Sequence, residues 1–419
     1  MSRPLGLHPL GDWLLARGLL QPARAGSPFG RAPLATAEAY LLPLVDARRL
    51  RAEFCAAQGL AHPLDALPAL ALERLRQGQA CALLDLSNEG LQDDPALFEA
   101  LQAELRARDL PAGQLLLVTQ NQALEAAHRA RDPASRLGFA VHHALLEQFA
   151  RFAARQCPAR GALYPNHPVP DLPALAAQLA RSGVAEHAHA YGLLVGSPRY
   201  WRLVALCWLA QHGLLDQGLI HFDGLAGHKH QADLQRFTEQ LARNRRLAPL
   251  VAAADRLRDY PRFRSSRFEG GNYNLLAFAL RADEFESVAL PVVLETEMSA
   301  GGMRRHTEKL LKPLLAGRPL LVLGNPGCLA ALRGLGFATF SPVLEEGYDE
   351  IADPTDRALA VLEQLARWCG LSAAQRRERL LALQPVVQAN QAHLLGGGLL
   401  RRLAHQDTAL ATAIRARLR

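Results

Sequence analysis

Lysine is nearly absent. Of the 47 Lys+Arg residues, only Lys229, Lys309 and Lys312 are lysines, and the rest are arginines. The six cysteines, Cys55, Cys81, Cys157, Cys207, Cys328 and Cys369, form no CxxC pair. That excludes a zinc ribbon and a dithiol redox motif. Scattered cysteines in apolar surroundings read as buried thiols in a reducing compartment, and we expect a cytoplasmic protein. No apolar run reaches the ~20 residues that a membrane-spanning helix needs. Asp12 and Arg17 interrupt the apolar N-terminal stretch, which reads as mature chain and not as a signal peptide. There is no internal repeat of solenoid period and no heptad run.

What the chain does have is ordinary for a globular protein of 419 residues, with 49% hydrophobic and 21% charged content. The length exceeds one ordinary core and implies two domains. A net charge of +7 permits a polyanionic partner, and a base composition that favours Arg codons explains it equally well. Against that arginine background, two of the three lysines fall within one short motif, Lys309 and Lys312. A compact ammonium suits a point contact to phosphate, whereas arginine offers a planar fork.

The pattern along the chain is strand–helix alternation. Residues 1–78 read as mostly helical. A strand is expected at 80–86, a helix at 94–108, a strand at 114–119 and an amphipathic helix over 139–156. The Pro-rich stretch Tyr164 to Asp171 reads as a connector. A second block follows: a strand at 192–196, a helix at 199–213 that Gly213 can cap, then strands at 219–222, 290–294 and 319–324. A helical tail with a glycine break at 396–398 closes the chain. We therefore expect an α/β fold with two Rossmann-like domains facing a cleft: 1–180, 181–372, and C-terminal helices 373–419 crossing back to the first domain. Ligand groups in parallel sheets sit past the carboxyl ends of strands. Glu89 and Asn121 occupy such positions.

The richest segment runs from Glu295 to Arg357. A strand delivers Glu295 and Glu297 to a loop bearing Gly301-Gly302. Thr307 can cap a helix whose first turn holds Glu308 and Lys309. Exposed N–H groups, the helix dipole and the lysine favour an anion there, and a diphosphate is the natural occupant. Pro313 should break an interior hydrogen bond of that helix. Taken alone, Thr-Glu-Lys is an ordinary helix start. Its weight comes from the ordered sequel: Pro319, Gly324-Asn325-Pro326-Gly327, Leu332-Arg333, Gly336-Phe337, Thr339-Phe340, Tyr348-Asp349 and Arg357.

This block, about 70 residues, resembles the donor-binding domain of fucosyltransferase-like glycosyltransferases with the GT-B fold and of their bacterial and phage relatives. A weaker match, Val195 to Arg202, resembles the strand-to-helix segment of the family that bears a phosphate-binding arginine; Gly196 stands where relatives often carry asparagine. The resemblance implies a transferase that moves a sugar from a nucleotide-sugar co-substrate to a hydroxyl acceptor without a metal or other cofactor. It implies that Lys309 and Arg199 or Arg202 bind the donor diphosphate. It assigns Glu308 and Glu295 or Glu297 to ribose or sugar hydroxyls, and Tyr348 to the nucleotide. Thr307, Asn325 and Asp349 complete the expected donor site. No DxD motif is present; Asp353-Pro354-Thr355-Asp356 has the wrong spacing. An inverting transfer needs a base for the acceptor hydroxyl, and Glu89, then Asp85, are the candidates.

Other features weigh less. Asn166-His167-Pro168 fits turn chemistry. His221, Asp223, His228 and His230 could suggest a metal, yet a His-x-His in a polar loop is usually solvated. Gly270-Gly271 lacks the strand–turn–helix context of a phosphate loop. The acceptor is a glycan, a protein or a small molecule, or else DNA with hydroxymethylated bases, which the basic balance slightly favours. A non-catalytic binding protein on a transferase fold is the alternative of a different class, and the intact Glu308 and Lys309 speak against it.

Overall fold

The computed structural model describes residues 31–34, 37–43, 63–67, 69–86, 93–154, 172–181, 187–196, 199–222, 228–257, 282–295, 298 and 303–417. The chain divides into two compact units. One comprises Met1–Gln148, Gly302–His306 and Leu400–Arg419; the other comprises Phe149–Gly301 and Thr307–Leu399.

The first unit is built on five strands in sequential order: β1 (Arg31–Leu34), β2 (Ala37–Pro43), β3 (Ala80–Leu86), β4 (Leu115–Thr119) and β5 (Gly138–Val141). β1 and β2 pair antiparallel, and every later pair is parallel. β3 and β4 match the expectation closely. β1 and β2 correct the helical reading of 1–78. Short Ala- and Leu-rich runs satisfy either periodicity, and here pairing with β3 decides. β5 corrects the reading of 139–156 as one helix. The chain pairs with β4 through Val141, and the helix begins only at Ala144–Ala153.

The helix Pro95–Ala107 shows how local sequence sets the layer. Asp94 accepts the Leu97 N–H at 3.4 Å, and proline occupies its first turn, where no intrahelical donor is needed. Phe98, Leu101 and Leu105 lie on one helical face and join Leu84, Leu115, Leu117 and Phe139 in the core.

The second unit holds a four-stranded parallel sheet of β6 (His189–Gly196), β7 (Gly218–Phe222), β8 (Val288–Leu294) and β9 (Leu321–Leu323) in the order β7-β6-β8-β9. The helix Tyr200–Gln211 between β6 and β7 is buried from Arg202 to Ala210, as a helix apolar on all sides must be. It ends as expected at Gly213, with φ +66°. Gly213 N–H donates to Ala210 and Leu214 N–H to Leu209, satisfying the last carbonyls. From β6 the chain goes to one side for β7 and then to the other for β8. The order therefore reverses between β6 and β8, and in open α/β sheets that reversal opens a crevice at the strands' carboxyl ends.

Helices complete this unit. Trp368, in Pro354–Cys369, donates its indole N–H to Ala190 O at 2.8 Å. Ser372 and Gln375 form a reciprocal capping box that starts Ala373–Leu395. The chain turns at Gly396-Gly397, where the glycine break was expected, before Gly398–Ala416, whose residues from Leu400 onward belong to the first unit. Cys81, Cys207, Cys328 and Cys369 are buried and form no disulfide. Among the described residues no helix is long and apolar enough to cross a membrane.

Gly218 lies opposite Tyr191 in the β6–β7 register. A Cβ built there would stand 2.2 Å from the Tyr191 ring, which is wholly buried and donates its hydroxyl to Leu214 O. We predict that Gly218→Ala destabilises the second unit by about 1–3 kcal/mol in urea unfolding, because the ring must leave its rotamer. A neutral result would show that the ring moves freely.

Candidate functional site

β8 is buried at every residue and delivers Glu295 from its carboxyl end. The Glu295 N–H extends the ladder to Leu323 O at 2.9 Å. Its carboxylate is buried and is held by Thr307. Thr307 Oγ1 lies 2.9 Å from both carboxylate oxygens, and Thr307 N–H lies 3.4 Å from Oε1. The same hydroxyl accepts the Lys309 N–H at 3.3 Å. Thr307 thus caps the helix Glu308–Leu315, as its sequence position predicts, while tying that helix to the end of β8. Gly324 lies close by: a Cβ there would meet Glu295 Cβ and Cγ at 3.4 Å, an ordinary packing contact.

The helix start is charged. Lys309 Nζ pairs with Glu308 Oε1 at 3.2 Å; the lysine side chain is 36% exposed and the glutamate 12%. Lys312 stands one turn below Glu308, in the favourable i, i+4 order. Burial works to raise the Glu308 carboxyl, but the Lys309 and Lys312 ammoniums and a backbone hydrogen bond hold it below the ordinary range. Burial pulls Lys312 down, against the attraction of Glu308 and Glu284. Pro313 lies inside the helix, where it removes one N–H from the ladder.

The carboxyl end of β6 supplies the arginines. Arg199 is exposed and immediately precedes Tyr200–Gln211. Arg202 is buried and donates to Val195 O at 2.9 Å. Burial brings Arg202 down to about 10, with Arg199 repelling its charge and Glu295 and Glu308 supporting it. These couplings place Arg199, Arg202, Glu295 and Glu308 in one electrostatic neighbourhood. It sits where the strand order reverses between β6 and β8.

Behind it stands a frame of buried polar groups. Arg357 donates to Gly324 O at 2.7 Å, Ile351 O at 2.5 Å, Ala352 O at 3.0 Å and Met298 O at 3.1 Å. Asn325 is buried just after Gly324. In place of the donor contacts expected of them, Tyr348 and Asp349 make internal ones. Tyr348 is buried, and its hydroxyl oxygen accepts the Val322 N–H at 3.5 Å. Asp349 accepts the N–H groups of Leu329 and Ala330, each at 2.9 Å, and so fills the N-terminus of Cys328–Gly334 with the protein's own carboxylate. The sequence shows which residues are present but not which of them face inward.

Glu89 and Glu297 lie outside the described residues, as do the Asn166-His167-Pro168 and Gly270-Gly271 stretches. For Asp85 the description stops at the backbone, which pairs with Val118 near the end of β3. His221 pairs with Glu284 at 3.5 Å. In the first unit, the carboxyl ends of β4 and β5 gather His142, His143 and His306, all buried. The sequence names His306 only as the residue before Thr307 and gives none of the three a role, because an adjacent pair and a distant single histidine carry no ligand spacing. It likewise gave Arg357 no role, although a lone arginine after a helix-capping Asp353 could have drawn attention.

No family model matches the chain, so the motif block stays a resemblance. No curated protein matches it in sequence. Among solved structures, the chain is similar to an alpha,alpha-trehalose-phosphate synthase (UDP-forming) from Burkholderia vietnamiensis. The identity is 13% and the TM-score 0.34, over 81% of this chain and 71% of that one. A likeness at that level carries no argument about this chain's activity.

Two predictions follow from this geometry. Arg357→Lys replaces four hydrogen bonds from a fork with those of one ammonium. It leaves buried carbonyls unpaired and should cost about 2–4 kcal/mol in chemical denaturation. A loss under about 0.5 kcal/mol, the scale of a surface substitution, would show that the fork is dispensable. Burial, aided by His306 and His142, brings His143 down to about 3, and burial brings His306 to about 4. Both stay neutral in the fold and charge on unfolding. Their stabilisation is complete above about pH 6.5 and falls away as pH drops toward 4, by about 1.4 kcal/mol per pH unit for each. Denaturant unfolding at stepped pH should show this slope, and it should flatten in His143→Gln and His306→Gln.

Proposed function

We propose that the chain is a glycosyltransferase of the GT-B kind that binds a nucleotide-sugar at the carboxyl ends of β6 and β8 and transfers the sugar to a hydroxyl. The observation that carries this reading is the Thr307-capped helix start, with Lys309 beside it and Arg199 and Arg202 in the same neighbourhood. Helix N–H groups, an ammonium and guanidinium groups favour a diphosphate together. Glu308, kept ionised beside them, supplies acceptor oxygens for ribose or sugar hydroxyls, which a site for bare phosphate would not need. Glu295 is satisfied by Thr307, so its role is to position the helix start.

In this reading the bond from the sugar's anomeric carbon to the diphosphate breaks while the acceptor oxygen attacks. Negative charge grows on the leaving diphosphate. Arg199 and the helix N-terminus meet it, joined by Lys309, which lowers the barrier without a metal. Lys309 can turn from Glu308 to the ligand, because its side chain is partly exposed. The acceptor hydroxyl loses its proton to a base, for which Glu89 and Asp85 are the sequence candidates.

Thermal denaturation in the presence of UDP-, GDP-, CMP- and dTDP-sugars tests the reading. A ligand that binds the folded state raises the melting temperature. One nucleotide class should do so, and Lys309→Ala should weaken it at least tenfold, about 1.4 kcal/mol. If no nucleotide-sugar shifts the wild type, the donor site is wrong. If Lys309→Ala binds like wild type, the role given to Lys309 is wrong.

A further inference from the structure

In the first unit, the loop leaving β4 is fixed more tightly than a surface loop requires. Asn121 N–H donates to Thr119 Oγ1 at 3.1 Å. Its side-chain oxygen accepts Ala123 N–H at 2.9 Å and Arg304 N–H at 2.8 Å. Gln122 N–H returns a bond to Arg304 O at 2.8 Å. The two segments are therefore clamped in both directions, and Arg304 enters the clamp by its backbone. β5 completes the arrangement: His142 N–H donates to Thr119 O at 2.9 Å, and His143 O accepts Glu147 N–H, starting Ala144–Ala153.

The clamp converges on one half-buried carboxamide. Gln122 Nε2 lies 3.1 Å from His143 Nε2. His143 is 1% exposed, and its other ring nitrogen, Nδ1, is buried with no hydrogen-bond partner among the described residues. An unpaired buried polar atom is costly and uncommon in folded proteins. A half-exposed glutamine would ordinarily keep its rotamer freedom. Here both costs are accepted, and their joint result is a carboxamide held still at the carboxyl edge of a parallel sheet, where such folds bind ligands.

We propose that Gln122 is a sugar-contacting residue, positioned by His143, and that it takes an uncharged, hydroxyl-rich ligand: the sugar of the acceptor. This rests on the transferase reading, which it deepens by naming the acceptor class. A carboxamide both donates and accepts, as a hydroxyl does, so one fixed amide reads a pair of neighbouring hydroxyls. His143 brings no charge, because burial and the neighbouring His306 and His142 keep it neutral. Gln122 touches the ligand. His143 acts through Gln122 and is a positioning residue.

The experiment is saturation-transfer NMR on the full chain with methyl glycosides of glucose, galactose, mannose and N-acetylglucosamine, and with inorganic phosphate as the anionic competitor. At least one glycoside should bind the wild type, and phosphate should not displace it. Gln122→Ala should weaken that glycoside at least tenfold, as should His143→Leu. His143→Gln, which restores a polar atom opposite Gln122, should stay within threefold of wild type. Gln122 is half-exposed, so its variant decides the matter even if His143→Leu does not fold. The proposal is overturned if no glycoside binds, if Gln122→Ala binds like wild type, if phosphate displaces the glycoside, or if His143→Gln is as weak as His143→Leu. The nucleotide-sugar melting shift, unchanged in Gln122→Ala, separates the two ideas. A wild type that gives no such shift refutes the transferase reading, while the glycoside result still judges this one.

Discussion

A buried guanidinium with four backbone carbonyls sets the carboxyl edge of the second sheet. Arg357 holds Gly324 beyond β9, Met298 beyond β8, and the turn at Ile351 and Ala352. Loops leaving parallel strands expose carbonyls that no ladder satisfies, and burying them unpaired is costly. One arginine satisfies several at once because its donors form a rigid fork. With those loops fixed, Glu295 has a defined place. Thr307 then joins it to the Glu308–Leu315 helix with a single hydroxyl that donates to one and accepts from the other. The position of Lys309 follows from this chain of contacts.

The same physics divides the labour between arginine and lysine. Arg357, Arg318 and Arg202 are buried, and each donates to main-chain oxygens; Arg318, for example, reaches Phe285 O at 3.0 Å. These are tasks for a weakly hydrated planar cation. Lys309 and Lys312 stand beside Glu308 at a helix start, where a compact charge matters more than a fork. The scarcity of lysine elsewhere makes this division visible. The carboxylates divide in a similar way. Asp349 is spent on capping one helix, whereas Glu308 remains beside a partly exposed partner.

The sequence was most legible where a short apolar run met a turn. β3, β4 and β7 lie within a residue or two of their expected places, and Gly213 ends its helix as a glycine at positive φ should. It was least legible at β1, β2 and β5, whose residues suit helix and strand alike. In the site, Thr307 was readable because a cap is a local interaction between residues two or three apart. The internal contacts of Tyr348 and Asp349 were not readable because their partners, Val322, Leu329 and Ala330, are some twenty residues away, and separations of that size leave no periodic trace.

By itself, then, the sequence determined the α/β class, the strand–helix alternation and the capped, lysine-bearing helix start. Each of these depends on neighbours within a turn or a strand. Only the tertiary structure decided which carboxylate is tied down, which arginine is a frame and which is exposed. It also decided that His143 stands behind Gln122. Those outcomes depend on burial and on partners distant in the chain, and desolvation, which fixes what a polar side chain can do, is a property of the packed unit.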